Sequence, residues 1–278
     1  MRKPGRVGQS LLNSLPELAK IIIEERSEND NFKRNPDDPQ EHDLSWHQFG
    51  IITHTRKFCE FHQTKSQEYF RQWGIDKEVN RNLSKQIAKK TKAELLGISI
   101  PLHDLGKFTR SFKERDGKLM PDYNGHWEKS EKLIMENEQI RNLLQETCGL
   151  TNSQVVYVAR CAGLHYELGK VRGQAERSDS QYTIAFVESK QCRQACDEIA
   201  PKYPEFKEEI GIMFLGDSLA KTDIAIDANT DQGIENQTEQ IKQIIQKQGL
   251  NDKLVAAVKE RPVNIAVAKT YLKLINEK

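Results

Sequence analysis

Apolar residues recur along this chain at intervals of three and four. Leu11, Leu15, Leu18 and Ile22 do so near the start, and Ile234, Ile241, Ile244 and Ile245 near the end. That spacing lays one apolar stripe along a helix of 3.6 residues per turn. Period-two alternation, the mark of half-buried strands, is nearly absent. The pattern predicts an all-α fold. Helices are expected near residues 10–26, 46–72, 78–105, 108–114, 126–147, 152–164, 179–199, 204–226, 232–247, 250–259 and 262–276.

Local signals punctuate the pattern. Thr151-Asn152 and Asp179-Ser180 are N-cap candidates, because a short polar side chain there accepts a bond from a free backbone N–H. Gly74, Gly106, Gly149 and Gly249 stand where helices should stop. Pro262 suits the first turn of the last helix. Residues 27–44, 115–125 and 167–178 read as loops, and no repeat is apparent. The expected layout is an N-terminal helix and loop over 1–45, a helical domain over 46–226, and a C-terminal helical extension over 227–278 packed on the same domain.

Composition narrows the classes. The 278 residues are 30% charged and 37% hydrophobic, with a formal net charge of +1. A core is affordable, and an extended nucleic-acid surface, which needs clustered positive charge, is not expected. No signal peptide or membrane span is read, since Asn13, Ser14, Pro16, Glu17 and Lys20 interrupt Leu11–Ile23. The five cysteines include no CxxC pair, as expected of a cytoplasmic chain with reduced thiols. Cys192 and Cys196 share a helix face and read as buried structural residues.

The densest chemistry lies in His103-Asp104-Leu105-Gly106-Lys107. An imidazole beside a carboxylate suits a divalent metal, and a following lysine suits a phosphate. Chance alone can supply such a dipeptide, and His42-Asp43 is a second one. His42-Asp43 lies in a polar Pro-Asp-Asp-Pro-Gln-Glu context and reads as a solvated loop without a role. His103-Asp104 follows Leu95, Leu96, Ile98, Ile100 and Leu102, so it ends a buried segment, bent by Pro101. Other polar residues lie at helix ends or on apolar faces: His54, His126, His165 and Asp217. Their company with His103-Asp104 in one helical domain points to a shared metal site.

The order His…His-Asp…His…His…Asp, with HDLGK second, resembles the HD superfamily of metal-dependent phosphohydrolases. Local detail is closest to the HD domains of bacterial CCA-adding tRNA nucleotidyltransferases: Trp46-His47…Thr53-His54-Thr55, then HDLGK, then Gly125-His126-Trp127-Glu128-Lys129-Ser130. CRISPR-associated HD nucleases share the HDLGK motif followed by a phenylalanine, here Phe112. The resemblance covers about residues 46–226 and implies an HD-domain helical bundle. It implies His54, His103, Asp104 and Asp217 as primary metal ligands, with His126 and His165 binding a second metal and Asp104 bridging. Asp223 competes with Asp217 as the last ligand, and the apolar Met213-Phe214-Leu215-Gly216 before Asp217 favours the latter. No acidic residue follows His126 directly, as Trp127 stands there.

Mixed imidazole and carboxylate ligands suit manganese, iron, nickel, cobalt or magnesium without selecting among them. Two divalent ions per chain are expected, activating water for attack at phosphorus. Asp104 and Lys107 are the catalytic candidates, with Lys107 holding a phosphate oxygen. Arg110, Lys170 and Arg172 join Lys107 as candidate substrate-binding cations, and Lys113, Arg115 and Lys118 lie nearby. Tyr123, Trp127 and Tyr166 flank ligands and are candidates for stacking a base. The expected substrate is a nucleotide or RNA-end phosphoester. A nuclease for single-stranded nucleic acid and a non-catalytic nucleotide- or protein-binding HD-like module are the alternatives. No paired carboxylates of a nucleotidyltransferase head and no Walker-type glycine loop are present.

Overall fold

The computed structural model describes residues 5–24, 42, 46–109, 111–115 and 118–277. Its first helices are α1 (Gly5–Glu24), α2 (Ile51–Thr64), α3 (Ser66–Trp73) and α4 (Asp76–Leu83). A short hairpin, β1 (Gln86–Ile87) and β2 (Lys90–Thr91), leads into α5 (Lys92–Ser99). Two 3₁₀ turns, Ile100–Leu102 and Leu105–Thr109, precede a second hairpin, β3 (Ser111–Arg115) and β4 (Lys118–Asp122). Then come α6 (His126–Glu136), α7 (Glu138–Cys148), α8 (Asn152–Leu164), a 3₁₀ turn at Glu167–Lys170, and α9 (Val171–Arg177). The rest is α10 (Ile184–Glu188), α11 (Lys190–Asp197), α12 (Ile199–Lys202), α13 (Lys207–Ala220), α14 (Asp231–Asn236), α15 (Thr238–Lys247) and α16 (Leu254–Asn276). The architecture is all-α, as the three- and four-residue spacing predicts, and no described helix is long and apolar enough to cross a membrane.

The chain groups into two compact units that interleave along the sequence. One comprises Met1–Asp43, Gly50–Cys59 and Leu83–Leu164; the other comprises Leu44–Phe49, Glu60–Asn82 and His165–Lys278. In the first, α6 packs on α8 and on the second 3₁₀ turn, α5 packs on α8, and α1 lies against α5, α7 and both turns. The Leu11, Leu15, Leu18 and Ile22 stripe of α1 is buried, as its spacing demands. Each such side chain contributes about 1.5–3 kcal/mol on burial.

In the second unit α13 is buried on every side, which suits its nearly continuous apolar sequence. It packs on α16, which also takes α10, α11 and α15. A Cβ on Gly211 would lie 2.6 Å from Leu272 Cδ2, so this glycine lets α13 and α16 approach closely. The buried Glu208 accepts a hydrogen bond from the Asn82 amide. Ile224, Ile241, Ile245, Leu254 and Val258 form a further apolar cluster. Among the described residues the five cysteines form no disulfide and are buried, Cys192 and Cys196 fully so.

The structure differs from the expected helices where a local cap or turn wins over the long apolar pattern. The expected 46–72 helix begins at Ile51 and divides at Lys65. The 78–105 helix is α4, a hairpin and α5, because Thr91 and Glu94 form a capping box that starts a new helix. Asn137 accepts from Ile140 N and divides 126–147 into α6 and α7. Thr183 and Ser189 cap α10 and α11, so the 179–199 helix starts later than Asp179-Ser180 and is broken. Thr151 does cap α8, accepting from Gln154 N.

The 108–114 helix is wrong: β3 pairs antiparallel with β4 from Ser111↔Asp122 to Arg115↔Lys118. Asp116-Gly117 falls between the paired Arg115 and Lys118, and that dipeptide is a strong hairpin signal. Pro262 lies inside α16, which is continuous where two helices were expected. Val258, Val263 and Val267 around it are buried, so packing outweighs a local penalty of about 3 kcal/mol. Gly74, Gly149 and Gly249 end helices with φ of 72°, 61° and 65°. The expected 27–44 loop lies outside the described residues, apart from His42.

Burial also sets an acid sensitivity. It pushes the His62 imidazole, near the end of α2, down to about 4 from its ordinary value of 6.5. The unfolded chain then binds the extra proton first as pH falls, so stability is full above about 6.5 and is lost between 6.5 and 4. His62→Gln should lose less stability than wild type across that window in pH-dependent thermal melts. Parallel curves for the two proteins would contradict this assignment.

Candidate metal centre

The site begins where α5 ends. Ser99 Oγ donates to the Val158 carbonyl at 3.0 Å, pinning that end to α8. Pro101 lacks an N–H and sits in the 3₁₀ turn Ile100–Leu102, which replaces the α-helix there. His103 and Asp104 follow directly, fully buried between this turn and the next. Gly125, at φ 71°, starts α6 so that His126 is its first residue.

Ser130 ties the second turn to α6. Its Oγ accepts from Gly106 N at 2.8 Å and shares its proton between the carbonyls of His103 (2.6 Å) and His126 (2.9 Å). Gly106 therefore does not act as a left-handed helix stop. A Cβ on it would collide with the His126 carbonyl oxygen and lie 2.8 Å from Ser130 N. The glycine of the HDLGK motif is what lets α6 deliver His126 to Asp104.

Asp104 is the hub. Its Oδ2 lies 3.3 Å from His103 Nε2, 3.5 Å from His54 Nε2 and 2.7 Å from Lys107 Nζ. Its Oδ1 lies 3.3 Å from His126 Nε2. His54, in the first turns of α2, is wholly buried, and Phe58 packs edge-on against the His103 ring. Burial pushes the Asp104 carboxyl up, but His103, Lys107 and His126 more than offset this and hold it well below the usual carboxylate range.

The ring nitrogens reveal what the cluster fits. His103 Nδ1 lies 2.8 Å from the Ile100 carbonyl, and His126 Nδ1 lies 2.9 Å from the Tyr123 carbonyl. A carbonyl only accepts, so each Nδ1 carries the proton. Each Nε2 then faces the Asp104 carboxylate, and it either carries a second proton that it donates to that carboxylate or presents a lone pair to a metal ion between them. Facing lone pairs repel unless a cation lies between them, and backbone carbonyls behind the rings are the usual support of metal-ligating histidines. The donor set fits a metal ion.

One ligand atom from each of His54, His103, Asp104 and Asp217 lies within 4.8 Å of the others, and so does one from each of Asp104, His126 and His165. The two groups share Asp104, and either could hold a metal ion. Lys221, one turn beyond Asp217, lies 3.6 Å from its carboxylate. Asp223 is exposed and belongs to neither group; its backbone N–H is bound by Gln48.

His42 overturns its reading as a solvated loop residue. It is 3% exposed, and its Nε2 lies 2.8 Å from Lys107 Nζ. It also packs edge-on against His54 and Tyr123, at ring separations of 5.4 and 6.3 Å. Its polar sequence neighbours concealed this, and its only signal was the His-Asp dipeptide itself.

The other cations differ among themselves. Arg172 Nη2 lies 2.6 Å from Glu260, and its guanidinium stacks over Trp46 at 4.7 Å. Lys170 is bound by Glu167. An anion approaching either would compete with a carboxylate already in place. Arg110 lies outside the described residues. Trp127 packs edge-on against His126, and the Tyr166 ring covers Gly169. No family model, curated protein or solved structure matches this chain.

Asp104→Asn removes the charge at nearly constant shape. Metal analysis of the purified variant should find the divalent ion lost while circular dichroism stays native; full metal retention would sink the site. Gly106→Ala should cost about 3 kcal/mol in denaturant unfolding, the range of an overpacked core. An unchanged midpoint would mean that α6 does not need the glycine.

Proposed function

We propose that this chain is a metal-dependent phosphohydrolase that acts on a nucleotide or RNA-end phosphoester. The single observation that carries the reading is the Asp104 hub: imidazoles held at Nδ1 by backbone carbonyls turn Nε2 toward one buried carboxylate, with an ammonium beside it. His54, His103, Asp104 and Asp217 would hold one ion, and His126 and His165 with Asp104 a second. A divalent ion bound there would supply Lewis acidity toward phosphate oxygens and lower the pKa of water. The ligand set does not choose among manganese, iron, nickel, cobalt and magnesium.

The chain's own residues do the rest. Asp104 stays ionised and keeps its negative charge at the centre of the cluster. Lys107 is buried, with its ammonium bound to Asp104 and His42. An ammonium has three donors, so one is left for a non-bridging phosphate oxygen. Beside groups as buried as Asp104 and Lys107, that bond strengthens as negative charge builds on the phosphoryl group. The resemblance to HD phosphohydrolases in the HDLGK motif and in the order of the ligands supports the same reading.

One observation favours a second reading, a nuclease for single-stranded nucleic acid. The β3–β4 hairpin lies in sequence between Lys107 and His126, and its stretch of chain carries Lys113, Arg115 and Lys118. A substrate screen separates the two: nucleoside mono-, di-, tri- and 2′,3′-cyclic phosphates against single-stranded DNA and RNA, each with several metals. Turnover of the small phosphoesters supports the first reading, and turnover of the strands alone supports the second. No turnover with any metal would refute both. Lys107→Ala should retain metal and lose about 100-fold or more in kcat on bis-p-nitrophenyl phosphate, the usual effect of removing one transition-state donor. An undiminished rate would remove the lysine from the chemistry.

A further inference from the structure

We propose that His42 is a positioning residue that acts through Lys107, so that a residue far upstream of the metal ligands belongs to the working site. Lys107 Nζ is held between two partners, Asp104 Oδ2 at 2.7 Å and His42 Nε2 at 2.8 Å. An ammonium can only donate, so His42 Nε2 is the acceptor and the neutral ring carries its proton on Nδ1. His42 is nearly as buried as Asp104, and its ring rests against His54 and Tyr123. The imidazole is therefore itself held, and it holds in turn.

A lysine side chain has four rotatable bonds and would otherwise sample many positions for its charge. With Asp104 alone, the ammonium could swing around the carboxylate. A second, fixed acceptor limits that swing and directs the remaining N–H. A burial role alone would not require a nitrogen acceptor at hydrogen-bond distance from this particular ammonium. His42 lies 65 residues before Lys107, and nothing in its own neighbourhood in the sequence marks it for this task.

The kinetic test rests on the phosphohydrolase reading. With metal-loaded full-length protein and bis-p-nitrophenyl phosphate, His42→Ala should lower kcat roughly tenfold or more, the loss of one charged hydrogen bond. Its metal content and KM should be unchanged. His42→Gln, which places an acceptor oxygen at similar reach, should recover most of the rate. In a Lys107→Ala background His42→Ala should cost nothing further, because the two act as one unit. A similar loss in both backgrounds, no rescue by glutamine, or an unchanged kcat in His42→Ala would overturn the assignment.

A second measurement needs no turnover. Lys107 should be acetylated slowly by an amine-reactive reagent in wild type and His42→Gln, and faster in His42→Ala, as read by peptide mass spectrometry. Equal labelling in all three proteins would overturn the hydrogen-bond role. If the wild-type protein hydrolyses nothing, the phosphohydrolase reading fails, and this labelling comparison still decides the role of His42.

Discussion

A carboxylate buried at 2% exposure is the constraint on which the rest depends. Placing the charge of Asp104 out of water costs several kcal/mol unless cations and donors surround it. The chain meets that cost from several directions, with His54 from α2, His103 from its own turn, His126 from α6 and the ammonium of Lys107. Each of these side chains is itself buried or nearly so, so none can be rearranged cheaply. A dense polar cluster in a helical core gains stability only when its members are mutually satisfied. A metal ion among the imidazole nitrogens is one species that could satisfy this one.

Backbone geometry gives the cluster its precision. Pro101 turns α5 into a 3₁₀ segment before His103, and Gly106 removes the one Cβ that would hold α6 away. Ser130 then binds three backbone groups with a single hydroxyl, linking the turn that carries Asp104 to the helix that carries His126. The ring of each of these two histidines is anchored three residues back, on the carbonyls of Ile100 and Tyr123. Orientation at the site therefore comes from main-chain bonds, which vary less than side-chain contacts.

Much of the fold was legible along the chain. The Leu11–Ile22 stripe, α8 with its Thr151 cap and the buried α13 follow from apolar spacing or runs that local structure does not contradict. Illegible were the breaks at Asn137 and Ser189, where an apolar face continues although the backbone restarts. A cap bond adds about 1 kcal/mol, small beside the burial of the faces it divides, so periodicity masks it. The β3–β4 hairpin was missed for another reason. Its strands are short, and Asp116-Gly117 sits in a polar stretch that reads as a loop.

By itself the sequence determined the class of fold and the chemistry available. Helical spacing, the HDLGK motif and an ordered set of histidines and aspartates are local properties, written in neighbouring residues. Only the tertiary structure decided which of them meet, and it did so by burial. It drew His42 from a polar stretch onto Lys107 and engaged Arg172 with Glu260. It also gave Gly106 a steric task in place of a helix stop. These outcomes depend on the cost of leaving a buried charge or donor unmet, and that cost is set by neighbours in space, which spacing along a chain does not record.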